Sequence, residues 1–210
     1  MISHPEVKTL RVLWGLCGWG FLGAVPVILG FLAGWWGSIP FVPENRIFMW
    51  ALVGLTSGLL VDVIFLKKWV KDVYTIPNLV WMGIYIFYSV GVFGFFMAVP
   101  VFNLCLAIPA GLLVSGKLAH EKPGGAEKKR FTSRTALFTT AVLVLACTAS
   151  ATIALLDPYT AANLQGMFGL TFSVTRLMLV GLIVVGGVGL LAVNWWVVTR
   201  VVNLTYQFLT

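Results

Sequence analysis

Between Arg46 and Lys67 the chain runs through twenty residues of which nineteen are uncharged, Asp62 being the exception. At about 1.5 Å per residue, a helix of that length crosses the roughly 30 Å hydrocarbon core of a bilayer. Within the run Trp50, Gly54, Gly58 and Asp62 recur every four residues and share one helical stripe. Glycines at that spacing let a neighbouring backbone come close, and the carboxylate lies at the end of the groove they make. An ionisable group inside a span is costly and marks a functional position. The competing reading is a carboxylate near the cytoplasmic edge, hydrated or paired with Lys67 or Lys68.

The rest of the chain repeats this pattern. Of 210 residues, 60% are apolar and 10% charged, against about 25% charged in a typical soluble domain. Mean hydropathy is +0.97, so the bilayer is the solvent and lipid the first partner. Apolar runs predict spans at residues 12–36, 47–66, 78–97, 101–118, 135–156 and 176–199, giving an all-α integral membrane protein with a six-transmembrane-helix bundle. The first is too long for a signal-peptide core and reads as an uncleaved span, glycine-rich and carrying Pro26 near its middle. Its Gly30 and Gly34 are packing positions at the same four-residue spacing. Residues 119–134 form the longest polar stretch and read as a flexible basic cytoplasmic loop whose contact is anionic lipid. Residues 157–170 are too polar at their start to span, and fit either an interfacial helix or the first turns of a long last one. The sixth span carries Gly186 and Gly187 as packing candidates, then Trp195 and Trp196 beside Arg200, which mark a membrane interface.

Orientation tests this count. With the N-terminus cytoplasmic, inside segments hold Lys8, Arg11, Lys67, Lys68, Lys71, Lys117, Lys122, Lys128, Lys129, Arg130, Arg134 and Arg200. The outside holds only Arg46 and Arg176. Twelve against two obeys the positive-inside rule, and both termini are then cytoplasmic. The same placement accounts for the net charge of +7 without nucleic acid. It also puts the Asn203-Leu-Thr205 sequon in the cytoplasm, away from glycosylation. Three spans, a short connection and three more would relate the halves as an inverted repeat, common in transporters. Its sequence support is the short match of Ala24-Val-Pro-Val27 with Ala98-Val-Pro-Val101.

Within this topology the polar side chains sort by depth. Asp62, Ser115 and Asn194 lie toward the cytoplasm, and Asn103, Thr152, Asp157 and Arg176 toward the outside. Tyr85, Tyr88 and Ser89 sit between, at i, i+3 and i+4 on one face. Asp62, Tyr85, Tyr88, Asn103, Ser115, Arg176 and Asn194 are the candidates for a substrate path. Against that, the tyrosine and serine hydroxyls fit bonds to neighbouring helices, and Arg176 fits a surface ion pair with Asp157. Asn103, Ala107, Gly111 and Ser115 make a second small or polar stripe, in a span that Pro109 interrupts. Thr148 and Thr152 stack one turn apart, placed to bond the preceding turn's carbonyls.

Catalytic signals are missing: the chain carries no HExxH, GxSxG or paired-carboxylate pattern. Cys17, Cys105 and Cys147 lie in apolar runs without a CxxC partner, and His4 and His120 lie outside the spans, against bis-histidine haem. No metal, cofactor or catalytic residue is expected. The leading function is a small-solute transporter or the membrane-embedded substrate-binding component of an uptake system. The alternative is a non-catalytic structural subunit of a larger membrane complex, with partner subunits or further copies of the chain on its glycine faces. A membrane redox subunit built on Cys17 and Cys105 is the third reading. The span pattern, with no organelle signal, fits a bacterial or archaeal plasma membrane.

Overall fold

A computed structural model of the protein describes the backbone of residues 4–210 and the side chains from Gly20 onward. Seven α-helices and one 3-10 helix account for nearly all of it, with no strand among the described residues: α1 (His4–Ser38), α2 (Glu44–Lys71), α3 (Asn78–Phe95), the 3-10 helix (Pro100–Leu106), α4 (Ala107–Glu121), α5 (Gly125–Leu156), α6 (Thr160–Phe168) and α7 (Arg176–Leu209). Six helical stretches are long and apolar enough to cross a membrane, the fourth formed by the 3-10 helix and α4 together. The protein is an all-α integral membrane protein of the six-helix kind. Dozens of large apolar side chains are exposed along these helices, among them Leu60, Val63, Ile64, Val90, Leu145 and Val185. In water such a surface would aggregate; in lipid it is the solvated one.

Packing divides the chain into two compact units, one ending at Ile84 and the other Tyr85–Thr210. In the first, α1 lies along α2. In the second, α7 packs against both α4 and α5. The division falls inside α3 and the pairings differ, which gives the three-plus-three repeat no support.

The first pair is held by glycine. A Cβ built on Gly30 would run into the Gly54 carbonyl oxygen, one on Gly54 into that of Gly30, one on Gly34 into that of Trp50, and one on Gly58 into that of Pro26. The two helices therefore run antiparallel in a fixed register, with Gly30 opposite Gly54 and Pro26 opposite Gly58. Carbonyl oxygens placed over glycine Cα atoms allow weak C–H···O contacts of about 0.5–1 kcal/mol each, and lipid supplies no hydrophobic drive to replace them. Trp50 departs from the expected stripe: its side chain is half exposed, and Ala51 is the fully buried residue at that level. A four-residue spacing drifts by about 40° per step on a 3.6-residue helix, so Trp50, three steps from Asp62, has rotated off the contact face.

The second unit has a buried core cluster in which Ala107, Leu118, Ala136, Val198 and Val202 meet from three helices. The stripe of Asn103, Ala107, Gly111 and Ser115 is its inner face, all four buried. At Gly111 an added Cβ would come 2.8 Å from Val201 Cγ1. Gly186 and Gly187, expected to pack, have no atom within 4 Å of where a Cβ would stand. Helix α7 uses its later turns, around Asn194, Val198 and Val202, for contact instead.

One further expectation is corrected. Residues 119–134 are not a loop: α4 continues to Glu121 and α5 starts at Gly125. Lys122 (φ 49°) ends α4 in the left-handed region, Pro123 cannot extend it, and from Glu127 the sequence has few helix breakers and good formers in Lys128, Lys129 and Arg130. Pro109 stands inside the span that the 3-10 helix and α4 form together, three residues after the 3-10 helix ends, and as expected it withholds a backbone donor there. Before it, Met97 and Ala98 (φ 54° and 63°) turn the chain into the 3-10 helix. Residues 157–170 form the separate helix α6, which buries no residue, closes on Gly169 (φ 59°) and leaves Met167 and Phe168 exposed.

Candidate functional site

Asp62 stands on the face of α2 that meets α1. Its Oδ2 lies 3.6 Å from where a Cβ on Gly23 would be, an ordinary contact distance, so the carboxyl rests against α1. Oδ1 is buried and has no hydrogen-bond partner. Neither Lys67 nor Lys68 pairs with it; among the described residues the ion pair is Lys117 with Glu121, at 3.9 Å. One residue before Gly23, Leu22 is buried, and its carbonyl lacks a helical donor because Pro26, four residues on, has no N–H. The register that sets Gly58 opposite Pro26 puts Asp62, one turn on, at the level of Leu22. An unpartnered carboxyl oxygen in a span calls for a proton or a cation.

The other candidates gather elsewhere. Ser89 and Asn103 are both buried and bonded: Asn103 Nδ2 donates to Ser89 Oγ at 2.6 Å and to the Ser89 carbonyl at 3.2 Å. The carbonyl contact fixes the amide's orientation and leaves Asn103 Oδ1 buried without a donor. Tyr85 is buried with its ring edge-on to Phe138, centroids 5.6 Å apart. Tyr88 is half-buried against the ring of Phe87. The bond from Asn103 bears out the inter-element role expected of the serine.

Asn194 is fully buried between α7 and α5, donating from Nδ2 to Thr139 Oγ1 at 3.2 Å and to Thr140 Oγ1 at 3.0 Å. Thr139 spends its own proton on the Ala136 carbonyl, so it must accept from Asn194. Asn194 Oδ1 is left unpartnered. Thr139 and Thr140 were not legible as partners, because a threonine in a membrane helix is commonly satisfied by its own preceding turn. Thr148 and Thr152 do that, at 2.8 Å each, on an exposed face. Ser115 is fully buried and donates to the Leu112 carbonyl of its own helix. Replacing Asn194 by valine is expected to lower stability by about 0.6 kcal/mol, and by no more than about 1.7, since the amide already carries an unpaired oxygen. Unfolding of detergent-solubilised protein measures this.

Arg176 opens α7 at an exposed position and has no ion-pair partner among the described residues. The expected pair with Asp157 does not form. Asp157 instead closes the turn into α6, accepting from the Tyr159 N–H at 3.0 Å and the Thr160 hydroxyl at 3.1 Å. The cysteine pair suggested for a redox centre includes Cys17, whose side chain lies outside the described residues; Cys105 is exposed.

These positions define a polytopic membrane protein with one unpaired intramembrane carboxyl and two buried asparagine nodes. The chain matches no known protein family, no curated protein and no solved structure.

Proposed function

We propose that the protein is a small-solute membrane transporter, or the membrane-embedded substrate-binding component of an uptake system, with Asp62 as its proton- or cation-carrying group. The observation that carries this is the buried, partnerless Oδ1 of Asp62 in the α1–α2 crossing. A purely structural carboxyl would be held by a lysine or a donor. A carboxyl that must gain and lose a proton or cation is served by an empty place. The membrane we assign is a bacterial or archaeal plasma membrane, with anionic lipid against the basic segment at 119–134.

A second reading rests on a different observation. Gly181, Gly186, Gly187 and Gly189 face open space along α7, among exposed Leu182, Val184, Val185 and Val188. Small residues in lipid mark places where another helix can approach, as in a subunit of a larger complex. Gentle extraction from the native membrane, followed by weighing of the intact particle, separates the two. A monomer or homo-oligomer with bound solute supports transport, and fixed stoichiometric partner chains support the subunit. Gly186→Ala gives a further check. In the isolated chain it is expected to gain about 0.5–1 kcal/mol from backbone restriction, and loss of a co-purifying chain in this variant would place a partner on that face.

A further inference from the structure

We propose that the groove between the starting turns of α5 and the later turns of α7 is a binding site for a phosphate group, of the kind an anionic lipid headgroup presents at the cytoplasmic interface. A cavity of ≈ 490 Å³ lies there, lined by Lys128, Lys129, Thr132 and Ser133 on α5 and by Thr199 and Asn203 on α7. No carboxylate lines it. The lysines and hydroxyls come at i, i+1, i+4 and i+5, so one face of α5 presents two charges and two hydroxyls in adjacent turns.

The lining is divided between groups already engaged and groups that are not. Thr132 and Thr199 return their protons to carbonyls of their own helices, Lys128 and Trp195 or Trp196 respectively. Their oxygens add polarity but no free donor. Ser133 and Asn203 make no side-chain hydrogen bond among the described residues, so a hydroxyl and a carboxamide N–H remain for a ligand. The Lys128 ammonium sits 4.0 Å from the centre of the Tyr206 ring, which holds the charge in place while leaving its N–H groups available. These are donors without a matching acceptor, the converse of the Asp62 site.

The helix geometry asks for the same ligand. Gly125, also in the lining, is the first residue of α5, and no side chain caps that end. The outward N–H groups of a first turn and the positive end of the helix dipole favour an anion. Yet Lys128, Lys129 and Arg130 follow with Glu127 as the one acid of the first turn, an arrangement that repels itself until an anion arrives. Both helices are long and apolar enough to span, and Arg200 lies 5.8 Å over the Trp196 ring in the turns of α7 that border the groove. Tryptophan beside arginine marks headgroup level, and basic pockets between spans on this side suit phosphorylated headgroups. A single defined seat is more specific than the general attraction of a basic segment, and it does not depend on whether the chain transports.

The test is native mass spectrometry of the purified full chain titrated with phosphatidylglycerol or phosphatidylcholine. One phosphatidylglycerol is expected to be retained in preference to phosphatidylcholine. Lys129→Ala is expected to weaken it about five-fold, from about 1 kcal/mol per lysine near an anionic surface. Ser133→Ala and Asn203→Ala are expected to weaken it with the net charge unchanged, and Lys122→Ala, outside the groove, to leave it as it was. Inorganic phosphate that displaces the lipid and itself binds would support the phosphate seat and identify the free ion as its ligand. Equal losses in Lys122→Ala and Lys129→Ala with none in Ser133→Ala, or no preference between the two lipids, would overturn the proposal.

Discussion

Gly58→Ala is expected to destabilise the α1–α2 pair by about 3 kcal/mol, at the upper end of what overpacking costs, and Gly58→Val by more. The added Cβ would meet the Pro26 carbonyl, with the Pro26 carbon and the Val27 Cα both at 2.7 Å. All three are backbone atoms, so no side chain can turn aside. Relief requires the helices to move apart, which also opens the facing contacts of Gly30 with Gly54 and of Gly34 with Trp50. In lipid that packing is the main force joining them. Gly83→Ala is the matched comparison, since nothing lies within 4 Å of its Cβ position; it is expected to gain about 0.5–1 kcal/mol from backbone restriction. Unfolding of both variants in graded denaturing detergent measures the difference. A Gly58→Ala chain as stable as the wild type would mean that α1 and α2 do not cross at this register.

The asymmetry between these glycines shows what the sequence could say. The six spans were readable because twenty apolar residues have few alternatives, and the close approach at Gly54 and Gly58 followed from a spacing that puts both on one helical face. At Gly186 and Gly187 no helix among the described residues lies against the face; spacing states which residues share a face and not which helix meets it. Asn194 was recognisable as a polar residue in a span, while Thr139 and Thr140 were not recognisable as its partners. Charge alone made residues 119–134 look like a loop, although the formers there continue directly into α5. Polarity reports what a segment can touch; helix propensity reports its backbone, and the two diverge at a basic helix end.

Asp62→Asn is expected to reduce solute-dependent proton flux by at least about 100-fold, the lower bound for removing a positioned proton-transfer group. The amide keeps the carboxyl's size and its fit against Gly23 but can neither release a proton nor carry charge. Its effect on folding is expected to be small, because the carboxyl makes no ion pair or hydrogen bond to lose. Asp62→Glu is expected to retain part of the flux, limited by the room that Gly23 and Leu66 leave around the side chain. Monodisperse elution and unchanged helicity of the Asp62→Asn chain would tie the loss to proton carriage. Unchanged flux in that variant would remove Asp62 from the mechanism.

The most direct measurement is proton entry into vesicles reconstituted with this chain alone. They would be loaded with a pH-sensitive dye and given a pH step, with mixtures of amino acids, sugars and nucleosides outside. The wild-type chain is expected to admit protons faster than protein-free vesicles with at least one mixture, and the Asp62→Asn chain to match the protein-free rate. Vesicles that stay as tight with the wild-type chain as without it, under every mixture, would contradict transport by this protein and leave the open glycine face of α7 as the lead to follow.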